Sequence, residues 1–385
     1  MKKALVLLAF VSMILIISST SFAATSYVVT NDDNCSAASN TSSIYKLNTS
    51  NGNLSLMTTL NTGGLGNCGG FFASVGNTIS RDAKCMYVYD GGTSDIAAFT
   101  VPGLAKVGNY SNAALNGAFP GGSMAMTPNG KYLYATYAGT QNIGAWKRNA
   151  DCSLSFISTY VANSGIDTYS NLIVDPSGKG LVVSVDDLGY LELFAINSNG
   201  TLKDLAAANL NNTSCVNVGC FPTGIDITKG EFLVSGNAIL GAGVFSMQLK
   251  GSSPFFTNIN YTDQTSSGLC NGEVPWLSAA AYSSGSGPLF IGYSGFGAGC
   301  QSGVLTTNLS GGVITQVKAN LINTASGYAG MIQNTGTWMV VSEWFNQLQV
   351  FKINNDGSLT ATSQGPVTDN NANGALSFFI YPQTR

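Results

Sequence analysis

Residues 127–160 read TPNGKYLYATYAGTQNIGAWKRNADCSLSFISTY. Three runs rich in β-branched and aromatic residues (YLYATYAG, IGAWKRN and LSFISTY) follow PNG, GTQN and NADC, which carry the residues that make tight turns. The unit is an antiparallel meander, and it recurs along the chain. The aromatic of its second run returns in SIYKLN (43–48), DIAAFTV (95–101), YLELFAIN (190–197), GAGVFSM (241–247) and QLQVFKIN (347–354), while GVLTTNL (303–309) is the copy without it. The run before it returns as SYVVTN, CMYVYD, YLYATY, GLVVSV, EFLVSG, LFIGYS and WMVVSE. In most copies one more run follows a small turn, as in NGNLSLMTTL, NGTLKDLAAA and DGSLTATSQG.

Seven such copies, about 50 residues apart and punctuated by Gly and Asn, predict an all-β seven-bladed propeller of four-stranded antiparallel blades. The last copy is split. NGALSFFIYP (373–382) has no strands after it, and SYVVTN (26–31) has no inner strand before it. The C-terminal strand is therefore expected to complete the N-terminal blade, closing the ring and removing two exposed edges. Nothing resembling a linker interrupts the repeat, so residues 24–385 are expected to form one domain.

Residues 1–23 read as a signal peptide: Lys2 and Lys3, an apolar run from Ala4 to Ile17, then Ser21-Phe22-Ala23 before the cut. The run is short for a membrane span and no second one follows, so a secreted chain without a membrane anchor is expected, in the periplasm or outside the cell. Eight cysteines and no histidine fit oxidised pairs and disfavour a Cys/His zinc site. Only 9% of residues are charged, and neutral Gly, Asn, Ser and Thr take their place. Without Lys2 and Lys3, 14 basic side chains face 19 acidic ones, a net of −5, which excludes nucleic acid as a partner.

Copies such as TPNGKYLYATYAGTQNIGAWKRNADCSLSF and DPSGKGLVVSVDDLGYLELFAINSNGTL resemble the seven-bladed propeller lactonases, the 6-phosphogluconolactonase-like family. The resemblance covers essentially all of the chain after residue 23, and its motif is the blade repeat. It implies a lactonase site on one face of the ring, built from acidic and basic side chains. This chain departs from that pattern, with no His at all.

Propeller topology sorts loops onto two faces. Loops joining second to third strands and crossings between blades share one face, here the top; the remaining turns lie on the bottom. The sorting predicts the pairs Cys35–Cys68, Cys85–Cys152, Cys215–Cys220 and Cys270–Cys300. It also places Asp32, Asp33, Asp90, Asp95, Asp167, Asp186, Asp187, Asp263, Glu273, Glu343 and Asp369 on top, with no Lys or Arg among the top loops. Arg81, Lys84, Lys131, Arg148, Lys179 and Lys229 fall at the bottom. Aromatics recur where inner strands begin (Phe71, Phe72, Phe119, Tyr169, Phe221, Trp276 and Tyr328), either to ring the channel or to pack between blades.

Without histidine a Ser-His-Asp site is excluded, and without top-face cations a phosphosugar is a poor ligand. Carboxylate chemistry remains. Asp32, Asp33, Asp369 and Asn370, in NDDN and TDNNAN beside the closing blade, are candidate Ca²⁺ ligands; solvated Asx-rich turns, where Asp and Asn are favoured anyway, are the competing reading. Asp90, Asp186, Asn237 and Glu343 end second strands and offer a further cation position. Glu273 and Glu343, next to Trp276 and Trp344, are the candidate catalytic acids. Trp276, Tyr137, Asp90, Asp186, Asn237 and Tyr328 are candidate ligand-binding residues. The expected function is an extracellular, monomeric binding module for a neutral polar ligand such as carbohydrate, or for an extracellular protein. Hydrolysis of neutral sugar lactones is the alternative, and a cell-surface scaffold the third.

Overall fold

The computed structural model describes residues 25–382 except 37–38, 68–75, 116–121, 163–170, 186–187, 218, 229–231, 238–242, 264–271, 280–285, 296–301, 312, 324–328, 344–345 and 374–375. For 138, 273–279, 286–287, 315–323 and 329 it gives the course of the chain alone. Seven antiparallel sheets result, each with four strands in its main path. Their inner strands touch one another in turn around a closed ring. Among the described residues helix is confined to short 3-10 turns, and none is long and apolar enough to cross a membrane.

Closure follows the sequence expectation. Ser377–Tyr381 is the inner strand of blade 1 and pairs antiparallel with Ser26–Asn31, Tyr27 opposite Tyr381. Thr41–Leu47 and Leu54–Asn61 complete that blade outward.

Second strands are mostly apolar, with polar residues near their top ends, because both faces of each blade are covered by neighbouring blades. Cys85–Asp90, Gly180–Val185 and Trp338–Glu343 are buried at every position. Outer strands such as Leu54–Asn61 and Leu202–Asn209 are largely open to solvent. The core is thus divided among the seams between blades. Aromatics of the third strands fill these seams, and in blades 1 to 4 the outer pairing is bulged just before Tyr45, Phe99, Trp146 and Phe194. In these four blades the sequence marker therefore coincides with a local bend.

Two of the expected disulfides are formed, Cys85–Cys152 and Cys215–Cys220. Cys35 is also disulfide-bonded. Its expected partner Cys68, together with Cys270 and Cys300, lies outside the described residues. Cys152 occupies an unusual place. The bottom turns TSNG, NSNG and NNDG end at Gly52, Gly200 and Gly357, with φ of 76°, 84° and 81°. In NADC the same place is Cys152, with φ 70°. A side chain there costs about 1 kcal/mol relative to glycine, and the bond to Cys85 holds it in place.

Candidate functional site

On the top face the closing corner brings Asp32 and Asp369 together. Both are 1% exposed. Asp32 accepts hydrogen bonds from Thr30 Oγ1, from Thr41 Oγ1 at 2.6 Å and from Ser43 Oγ at 3.1 Å. Burial pushes its carboxyl up to about 6, the charge of Asp369 adds to this, and the three hydroxyls work in the opposite direction. Asp369 accepts from Tyr45 OH at 2.8 Å and from the Asn371 backbone N–H at 3.0 Å. Burial, then Asp369, drives the Tyr45 phenol upward, so it stays a donor.

The other two candidate Ca²⁺ ligands do not complete a cage. Asp33 Oδ1 accepts from the Asn67 backbone at 2.6 Å, bracing the crossing to blade 2, and Asn370 is exposed. Among the described residues no three His, Cys, Asp or Glu side chains stand close enough to hold a metal ion. Calcium needs six to eight oxygen ligands. Here both oxygens of Asp32 already accept protein hydroxyls, so the set does not fit the ion.

The second group is likewise turned inward. Asp90 is 0% exposed; its Oδ1 accepts from Asn40 Nδ2 at 2.8 Å and Thr62 Oγ1 at 2.7 Å. Burial moves its carboxyl up to about 7 against the pull of Asn40 and Thr62, with Asp95 adding to the rise. Asn237 accepts from the Phe221 backbone N–H at 2.7 Å and donates to Gly219 O at 3.0 Å. It thereby pins the crossing into blade 5, where Gly219 (φ 95°) lies against the Phe221 ring. Tyr137 is 2% exposed and packs edge-on against Tyr89, ring centres 5.5 Å apart, inside the seam between blades 2 and 3. Glu343 is 0% exposed at the end of its strand, opposite Gln347 and Ala329. Of these candidates, Tyr137 and Asn237 act as packing and tethering groups.

Glu273 and Trp276 lie in the inner strand Gly272–Ala279 of blade 6, opposite Ser294 and Gly292. Asp186 and Tyr328 lie outside the described residues, as do Phe71, Phe72, Phe119, Tyr169, Asp167, Asp187 and Trp344. Phe221 is half-buried. Lys106 modifies the expected charge sorting. Its amine approaches Gly63 (φ 80°) in the crossing from blade 1 to blade 2, bringing a cation to the top rim.

A set of hydroxyls escaped the sequence reading. Thr136 Oγ1 accepts from Ser123 N at 2.8 Å, Ser184 Oγ from Asn171 N at 2.9 Å and Ser342 Oγ from Met331 N at 2.8 Å, while Ser235 Oγ donates to Thr223 O at 2.8 Å. Each hydroxyl sits near the top end of a second strand and satisfies the backbone where an inner strand begins. The recurring Ser or Thr in YLYATY, GLVVSV, EFLVSG and WMVVSE was the available signal.

These features define the class: a seven-bladed propeller in which four top-face carboxylates, Asp32, Asp90, Asp369 and Glu343, are buried. No protein-family model matches the chain, and no curated protein matches it. Solved structures do share its fold. A protein from Lactobacillus plantarum superposes with a TM-score of 0.70 at 13% identity, over 92% of this chain and 99% of its own. A Bacteroides fragilis protein assigned only provisionally as a 6-phosphogluconolactonase gives 0.67 at 16% identity, over 93% and 99%. A protein of unknown function from Desulfotomaculum acetoxidans gives 0.59 at 16%, over 92% and 98%. The resemblance to the lactonase propellers is thus one of architecture.

Proposed function

We propose that the protein works by binding rather than by turnover. It is an exported, monomeric propeller that holds a neutral polar ligand, carbohydrate foremost, with an extracellular protein as the other class of partner. The observation carrying this is the burial of Asp32, Asp90, Asp369 and Glu343, each at most 1% exposed; of the other described top-face acids, Asp33 and Asp95 are half-buried and accept hydrogen bonds from the Asn67 N–H and Asn109 Nδ2, and Asp263 is exposed. A hydrolytic acid or base must reach substrate directly or through one water. Asp32, Asp90 and Asp369 instead accept hydrogen bonds that shape the loops around them. Two disulfides fit an oxidising compartment.

Lactone hydrolysis is the second reading, favoured by the fold shared with the Bacteroides fragilis protein, with Glu273 and Glu343 as its acids. A pH-stat assay of the oxidised protein on neutral aldonolactones, with Ca²⁺ and with chelator, separates the two. A trace no faster than spontaneous hydrolysis is expected. Turnover abolished by Glu273→Gln or Glu343→Gln would sink the binding proposal.

A further inference from the structure

The seam between blades 4 and 5 is open where comparable seams are shut. In blades 1 to 3 the outer-strand residues opposite Ser42, Ile96 and Ile143 are Leu60, Tyr110 and Tyr160. Each packs into the apolar cluster of its seam. Opposite Leu191, the matching position in blade 4, the residue is Ala208, within the run Ala206-Ala207-Ala208. Ala208 itself is covered, and beside it the short side chains leave a groove of about 560 Å³ over half-buried Ala206 on the outer rim, between Leu205–Asn209 and the start of the outer strand of blade 5. Ligand sites commonly fall between about 300 and 1,000 Å³.

The lining has a definite chemistry. Phe255 and Phe256 form one wall, half-buried and packed on the seam below. Asn209, Asn212 and Thr213 form the upper end, and Ser253 borders the groove at the lower turn of blade 5. None of the lining residues is charged, although Lys203 and Asp204 precede them in the same strand. The upper end is rigid. The Cys215–Cys220 bond closes the loop, Asn211 Nδ2 holds Leu188 O at 3.0 Å, and Thr213 Oγ1 holds Leu210 O at 2.8 Å. Five residues of extended strand make the groove roughly 15 Å long, which suits a chain of several units better than a single ring.

We propose that this rim groove binds a neutral carbohydrate chain, its sugar faces against Phe255 and Phe256 and its hydroxyls on Asn212, Thr213 and Asn209. An anion would find no cation there, and an apolar peptide would leave the amide end unpaired. The inference rests on the binding reading above and gives it a place away from the axis.

The test uses the full oxidised protein with neutral hexasaccharides of glucose, xylose and mannose, by calorimetry and saturation-transfer NMR. Saturable binding is expected for at least one. Ala206→Trp, at a half-buried position whose side chain shares the groove-facing side of the strand with Ala208, should weaken it at least tenfold, and Asn212→Ala several-fold. Thr93→Ala, on a top loop far from the groove, should leave it unchanged. All three should keep the parent's melting temperature. Binding that survives Ala206→Trp but falls in the top-loop variant would overturn the rim site and leave the binding reading standing. No binding of any hexasaccharide by the folded protein would overturn both.

Discussion

The seams between blades 2 and 3 and between blades 4 and 5 share one strand register yet are held in different ways. In the first, Tyr110, Trp146 and Phe156 fill the space between sheets, and Cys85–Cys152 ties one blade to the next across 67 residues. Arg148 adds a two-pronged ion pair to Asp82 at 2.9 and 3.0 Å. In the second, alanines leave a groove, and the disulfide spans only five residues within one crossing. One seam joins blades; the other shapes a loop. A ring of repeats can afford this because each blade contacts only its neighbours, so one seam can be hollowed without disturbing the rest.

The largest expected contrast lies in the disulfides. Replacing Cys85 and Cys152 by Ala should cost about 4 kcal/mol in reversible denaturant unfolding, against about 2 kcal/mol for Cys215 and Cys220, since stabilisation grows with the loop closed. Gly in place of Ala at position 152 should return about 1 kcal/mol, because the site keeps a positive φ. Equal losses for the two bonds would break the distinction between joining and shaping.

Packing comes next. Tyr160→Ala should open the seam between blades 3 and 4 at a cost of about 2 kcal/mol, as expected for a half-buried aromatic. Ala206→Tyr, at a half-buried position lining the groove, should stay within about 0.5 kcal/mol, since the hollow can receive the ring. A penalty of about 2 kcal/mol for Ala206→Tyr would show the groove to be too narrow for a ring.

Charge separates the seams more gently, and a third seam sharpens the point. Asp90, between blades 1 and 2, has a carboxyl raised to about 7 in the fold. The folded chain therefore holds a proton that the unfolded chain gives up. Stability from this group is full below the unfolded value of about 4 and is lost as pH rises through about 7. Asp90→Asn should raise the unfolding free energy at pH 8 by about 1 kcal/mol, with the gain fading toward pH 4. A loss at pH 8 would refute the direction. Asp82 runs the other way, since Arg148 holds its carboxyl down to about 2. Its contribution is present above about 4 and disappears as pH falls through about 2. Because Asp82 is 39% exposed, Asp82→Asn should cost only a few tenths of a kcal/mol at pH 7 and nothing at pH 2.

The ring, its closure by 377–381 and the two formed disulfides were legible in the chain because they depend on local period and on the face each loop occupies. The fate of the polar residues ending the second strands was harder to read. Asp90 looks like a surface acid in CMYVYD until Asn40 and Thr62 arrive from another blade, and Asn237 looks like a ligand until Phe221 folds over it. Such burial depends on crossings far away in sequence. Cys152 stood nearer to view. Setting NADC beside NSNG and NNDG shows a cysteine in a glycine's place.

The pairing of Tyr27 with Tyr381 carries a consequence for synthesis. The strand 26–31 is among the first parts of the propeller to leave the ribosome, and its inner partner is among the last. At about 5–20 residues per second, the wait is roughly 20 to 70 seconds. Throughout that time the first blade keeps an open inner edge, able to pair with any passing strand. The last residues of the propeller to arrive are thus the ones that lock the circle.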